Sequence, residues 1–109
     1  MKIQFLDTSI NGLKWMKNYF MSQPQLDAQT ASKNYQNAKR LLKEQPYIGH
    51  PFGAYDDVLE FSIKKTAFSF LYTVQRDTIF IIDIRDSRGM RSAKALRQFN
   101  DELKSKYGF

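Results

Sequence analysis

The densest set of residues able to do chemistry is the basic series Arg85, Arg88, Arg91, Lys94 and Arg97. It follows directly on an apolar run, in the stretch TAFSFLYTVQRDTIFIIDIRDSR over residues 66–88. Arginine in the first turn of a helix opposes the helix dipole, so helix stability does not explain this placement. Such a cluster suits docking of an acidic protein tail or of nucleic acid. No aromatic residues interleave with it, which speaks against stacking of a single strand. The one histidine, His50, could serve as a general base. It sits in PYIGHPFGAYDD, residues 46–57, where two prolines and two glycines indicate a surface turn. Asp56, Asp57 and Glu60 lie close in sequence, but strand alternation sends neighbours to opposite faces and spoils a divalent-cation site. With no cysteine and a single histidine there is no zinc ligand set. No Ser–His–Asp arrangement and no glycine-rich phosphate loop is readable. The expectation is therefore no metal and no cofactor.

Small elements must position these residues. The chain has 109 residues, which suits a single domain over 1–109 with a thin but real core. Hydrophobic residues make up 42% and aromatic residues 15%, enough to fold rather than stay disordered. The net charge of +6, from 17 basic and 11 acidic residues, favours polyanions or an acidic protein as partner. The lack of cysteine fits a reducing cytoplasm. The start, MKIQFLDTSING, has neither the apolar run nor the small-residue cleavage site of a secretion signal. No segment approaches the roughly 20 apolar residues of a membrane span.

Along the chain, KIQFL at 2–6 reads as a strand, and Asp7, Thr8 and Ser9 offer N-cap oxygens. From Ile10, Leu13, Met16 and Phe20 recur at helical spacing, with Trp15 and Tyr19 beside them, until Pro24. Asp27 can cap a second helix with the stripe Ala28, Ala31, Tyr35, Ala38 and Leu42, ended by Pro46. Lys33, Lys39, Arg40 and Lys43 fall on its outer side. The period then switches to two, with strands over 58–63, 67–75 and 78–85 in an antiparallel meander. Phe68, Phe70, Tyr72 and Val74 share the face that should cover the helical hairpin. Ser69, Leu71 and Thr73 share the other. Most of the aromatic set reads as core, with Trp15, Tyr19 and Leu71 as candidates for exposure towards a partner. Leu96, Phe99 and Leu103 mark a third helix to about residue 106, with Gly108 as its stop. The fold class is α+β in two layers: an N-terminal strand and helical hairpin packed on an antiparallel sheet of about four strands, plus a C-terminal helix.

This order carries a resemblance. A helical hairpin leads to a P-x-x-G-x-P turn (Pro46, Gly49, Pro51), then a strand containing Glu60, then TAFSFLYTV, a charged turn and TIFIIDIRDSR. The pattern resembles the RelE/ParE superfamily of toxins from type II toxin–antitoxin modules over about residues 2–90. The resemblance implies a small basic toxin, a cognate antitoxin that wraps it, growth inhibition and a role in plasmid stabilisation. Some members cleave messenger RNA on the ribosome, and ParE-type members act on DNA gyrase. The fold by itself does not choose between them.

A RelE-like nuclease surrounds one phosphate with cations that activate the 2′-hydroxyl and stabilise the developing charge. By resemblance, Lys64, Lys65, Arg85, Arg88 and Tyr107 are the residues that could form this set. The open-face positions that should be cationic hold Glu60, Ser62 and Ser69 instead, and Asp83 shares the face of Arg85. Carboxylates there repel phosphate. The leading expectation is thus a ParE-like toxin that binds its target through Arg85, Arg88, Arg91, Lys94, Arg97, Trp15 and Tyr19. A metal-independent mRNA endonuclease is the alternative, and a detoxified homologue that only binds antitoxin is the third.

Overall fold

The computed structural model describes residues 1–22, 28–53, 55 and 57–86. The expected C-terminal helix, the helix stop Pro24 and the cap Asp27 lie outside the described residues.

A strand, β1 (Lys2–Phe5), leads into helix α1 (Asp7–Ser22), followed by helix α2 (Ala28–Glu44). A two-residue strand β2 (His50–Pro51) precedes β3 (Leu59–Ser62), β4 (Phe68–Gln75) and β5 (Thr78–Asp86). The sheet order is β1-β5-β4-β3-β2. Three neighbouring pairs are antiparallel, as the short connections require. β1, however, runs parallel to β5, with Lys2 opposite Thr78 and Phe5 opposite Ile81. The sheet is therefore mixed and five-stranded, where an antiparallel sheet of about four strands was expected. The two differences have distinct causes. β1 and β5 are separated by both helices and three strands, which frees β1 to run parallel, and His50 and Pro51 add a short edge pairing inside the proline-rich loop.

The apolar face of the meander packs on the helical hairpin as alternation demands. Phe68, Phe70, Tyr72, Ile79, Ile81 and Ile84 form one core with Ala38 and Leu42 of α2. Leu13, Met16, Tyr19 and Phe20 of α1 close over it. Tyr19 and Phe20 meet the Phe68 ring with centroids 5.7 Å away in each case, and Tyr35 meets Phe70 at 5.5 Å. Leu71 is not exposed. It is fully buried in a second cluster on the opposite face, with Leu6, Val58 and Ile82. Lys39 is not on the solvated side of α2 either: its ammonium lies 5.7 Å from the centre of the Phe5 ring and 5.5 Å from that of Tyr35.

A β-bulge sits where Leu71 pairs with Asp83 but Tyr72 already pairs with Ile81. The extra residue, Ile82, disturbs the ladder and leaves backbone groups to be satisfied by other means. The Thr8 hydroxyl donates to the Ile82 carbonyl at 2.6 Å, and the Asp83 carboxylate accepts the Ile84 amide at 2.8 Å. This explains why α1 starts at Asp7, ahead of the apolar periodicity. Thr8 and Ser9 do not act as cap acceptors. Thr8 anchors the helix start to the bulge, and the buried Ser9 hydroxyl donates to the Leu6 carbonyl at 2.6 Å.

Candidate functional site

The sheet face away from the helical hairpin, largely covered over Leu71 and Asp83, brings Glu60 and Arg85 together at its rim. Register places Ser62, Ser69 and Arg85 in one row across β3, β4 and β5, and His50, Glu60, Leu71 and Asp83 in the next. Glu60 therefore lies diagonal to Arg85 across β4. The small side chains of Ser62 and Ser69, whose hydroxyls are 3.5 Å apart, leave room for the long ones to meet. The Arg85 guanidinium donates to the Glu60 carboxylate at 2.9 Å. The two side chains keep 29% and 25% of their surface exposed, so the pair is shielded but reachable. The face of the guanidinium rests on Phe52, 5.4 Å from the ring centre. Phe52 in turn stacks on Tyr55 at 6.2 Å with ring planes 19° apart. The loop 46–57 is thus more than a turn: its aromatic side chains hold the back of Arg85.

The other proposed residues scatter. Lys64 and Lys65 are exposed in the β3–β4 turn, past the last ladder pair Ser62–Ser69. Lys65 adopts a left-handed φ of 61°, and the Lys64 carbonyl accepts from Asn34 of α2 at 3.1 Å. Trp15 is half exposed, and its indole N–H donates to the Asp86 carboxylate at 3.0 Å, pinning α1 to the end of β5. Tyr19 belongs to the aromatic core rather than to a free surface. His50 is exposed at the sheet edge, directly opposite Glu60 on β3. Asp83 is fully buried, and its carboxylate accepts from the bulge backbone at Ile84. Arg88, Arg91, Lys94, Arg97, Tyr107 and Asp56 lie outside the described residues.

Two features escaped sequence reasoning. The Glu60–Arg85 pair spans two hairpins. Its signal was available by folding the chain at the Lys64–Lys65 and Arg76–Asp77 turns and reading across the rows. The second is a groove of about 370 Å³ between the hairpin helices, lined by Leu13, Met16, Phe20, Ala31, Tyr35 and Ile63 with Lys17 at its rim. Its signal was Ala28 and Ala31, small residues on the inward stripe of α2 that leave space beside α1. Met21, 71% exposed, extends the apolar surface.

Burial raises the phenol of Tyr35 above its ordinary range. Burial likewise raises that of Tyr72, opposed in part by the Gly49 amide, which donates to the Tyr72 oxygen at 2.9 Å. Tyr72 is fully buried, so this bond satisfies a phenol that would otherwise lose its water.

No family model matches the sequence, and no curated protein matches it. The fold is similar to a chain of the solved structure described as "Chromosomal ParDE TA system from P. aeruginosa", with a TM-score of 0.58 and 16% identity. The match covers 79% of this chain and 95% of that one. A five-stranded sheet with a helical hairpin on one face, matched over nearly the whole of that chain, gives this protein the fold seen in that ParDE structure.

Proposed function

We propose that this chain is the toxin of a type II toxin–antitoxin pair, ParE-like in that it binds its target rather than cutting RNA. The observation that carries the choice is the state of Arg85. An arginine that stabilises a phosphorane-like transition state must present free donors to the phosphate oxygens. Here a carboxylate already accepts from one terminal nitrogen of the guanidinium at 2.9 Å and offsets its charge. The fold supports the toxin role, and the ion pair supports binding over cleavage. Lys64 and Lys65, the remaining described cations of the nuclease set, lie in a turn beyond the row that holds Arg85.

The partner of this reading is an acidic antitoxin in the cytoplasm. The apolar groove between α1 and α2, with Lys17 at its rim, suits an amphipathic acidic segment. Among the described residues no helix is long and apolar enough to cross a membrane. DNA gyrase is the target in this reading. Expression of the chain alone in a bacterial host should arrest growth, and co-expression with a small acidic protein from the adjacent reading frame should restore it. DNA supercoiling should change before translation falls. Normal growth on expression alone would remove the toxin role.

A further inference from the structure

We propose that Glu60 is a specificity-determining residue, an internal carboxylate that engages Arg85 and keeps phosphodiester backbones off the partly exposed arginine. This goes beyond the toxin reading, because it holds whatever target the chain has. It does share the ion pair on which the binding-over-cleavage choice rests.

The geometry is that of an anion site with its anion built in. Phe52 holds one face of the guanidinium at 5.4 Å, and the Glu60 carboxylate accepts from its edge at 2.9 Å. In the row of Arg85, Ser69 is buried beneath it and Ser62 is exposed, both with short side chains. A partly exposed, ring-backed arginine beside the exposed Ser62, on a chain of charge +6, is a natural landing place for a phosphate. Two features of Glu60 convert it. Its carboxylate offsets the guanidinium charge and accepts from one of its terminal nitrogens, and any phosphate that approaches meets a like charge. Neither function requires deep burial, and both side chains remain partly exposed, so a ligand could reach Arg85 once the carboxylate is gone. Glu60 is not needed to hold the strand. Its backbone is fixed by pairing with His50 on one side and Leu71 on the other.

The test measures binding of a fluorescent single-stranded oligouridine across a salt series. Glu60→Gln should bind about tenfold more tightly than wild type at low salt, through one charge-assisted contact, with a log–log salt slope steeper by about 0.7. Glu60→Gln/Arg85→Ala has the wild-type net charge and should return to wild-type affinity and slope. Glu44→Gln removes the partner of the exposed Arg40 on α2. It makes the same change in net charge and should leave affinity within about twofold of wild type. Glu60→Ala provides a second unmasked variant and should match Glu60→Gln. The proposal is overturned if neither Glu60 variant binds more tightly than wild type. It is also overturned if the double variant keeps the gain, or if Glu44→Gln gains as much. Growth arrest is not a readout here, so failure of this proposal and failure of the toxin reading are told apart.

Discussion

At the scale of single residues, Gly49 and Tyr72 show how closely the loop 46–57 is fitted to the sheet. A Cβ on Gly49 would stand 2.6 Å from the Tyr72 oxygen and 2.7 Å from the Glu60 carbonyl. One of these is backbone, so the strain cannot be relieved by a rotamer change alone. Gly49→Ala should lower stability by about 1–3 kcal/mol, read as a fall in the urea midpoint at constant slope. Tyr72→Phe deletes the acceptor of the Gly49 amide and should lower stability by about 1–3 kcal/mol. The sequence offered Pro46, Gly49 and Pro51 as a turn, and that much was legible. That Gly49 is needed for close approach to a buried tyrosine was not, because the contact joins residues in separate elements. Glu60 was legible as a carboxylate on the open face. Its partner was not, since pairing with Arg85 depends on two registers at once. Trp15 was read as partner-facing, and its bond to Asp86 had no sequence signal because it joins the first helix to the last described strand.

At the scale of elements, the meander was legible nearly to the residue. Expected strands at 58–63, 67–75 and 78–85 became Leu59–Ser62, Phe68–Gln75 and Thr78–Asp86. Local alternation and turn residues dictate such hairpins, and both signals lie within a short window. The parallel pairing of β1 with β5 is a long-range choice, and no local pattern encodes it. The bulge at Ile82 has the same character: alternation read straight through it, while Thr8 and Asp83 compensate it from elsewhere. The β4–β5 turn carries a further prediction. Arg76 adopts φ of 57°, a left-handed conformation that is costly for a residue with a Cβ. Arg76→Gly should therefore leave the hairpin intact and raise stability by about 1 kcal/mol in urea unfolding, despite the added chain entropy of glycine. A loss of stability would show that the arginine side chain contributes more than the strain costs.

At the scale of the whole molecule, the buried phenol of Tyr72 and the partly buried one of Tyr35 give a pH signature. Their folded pKa values lie above those of the unfolded chain. At alkaline pH the unfolded state therefore releases protons that the native state retains, and stability falls as pH rises. The loss should begin near pH 10, the ordinary phenol value, and be complete only above the raised native values. Unfolding midpoints should be flat with respect to these groups below that range. Tyr72→Phe should make the alkaline loss shallower, even though it lowers stability at neutral pH. The central claim at this scale is that a ParE-like fold whose open-face arginine is neutralised by Glu60 arrests growth by binding and not by cutting RNA. The most direct measurement is mapping of messenger RNA ends in cells arrested by this chain. Growth arrest with transcripts intact at the ribosomal A site is the expected result. Codon-dependent cuts at that site, abolished by Arg85→Ala, would contradict the claim.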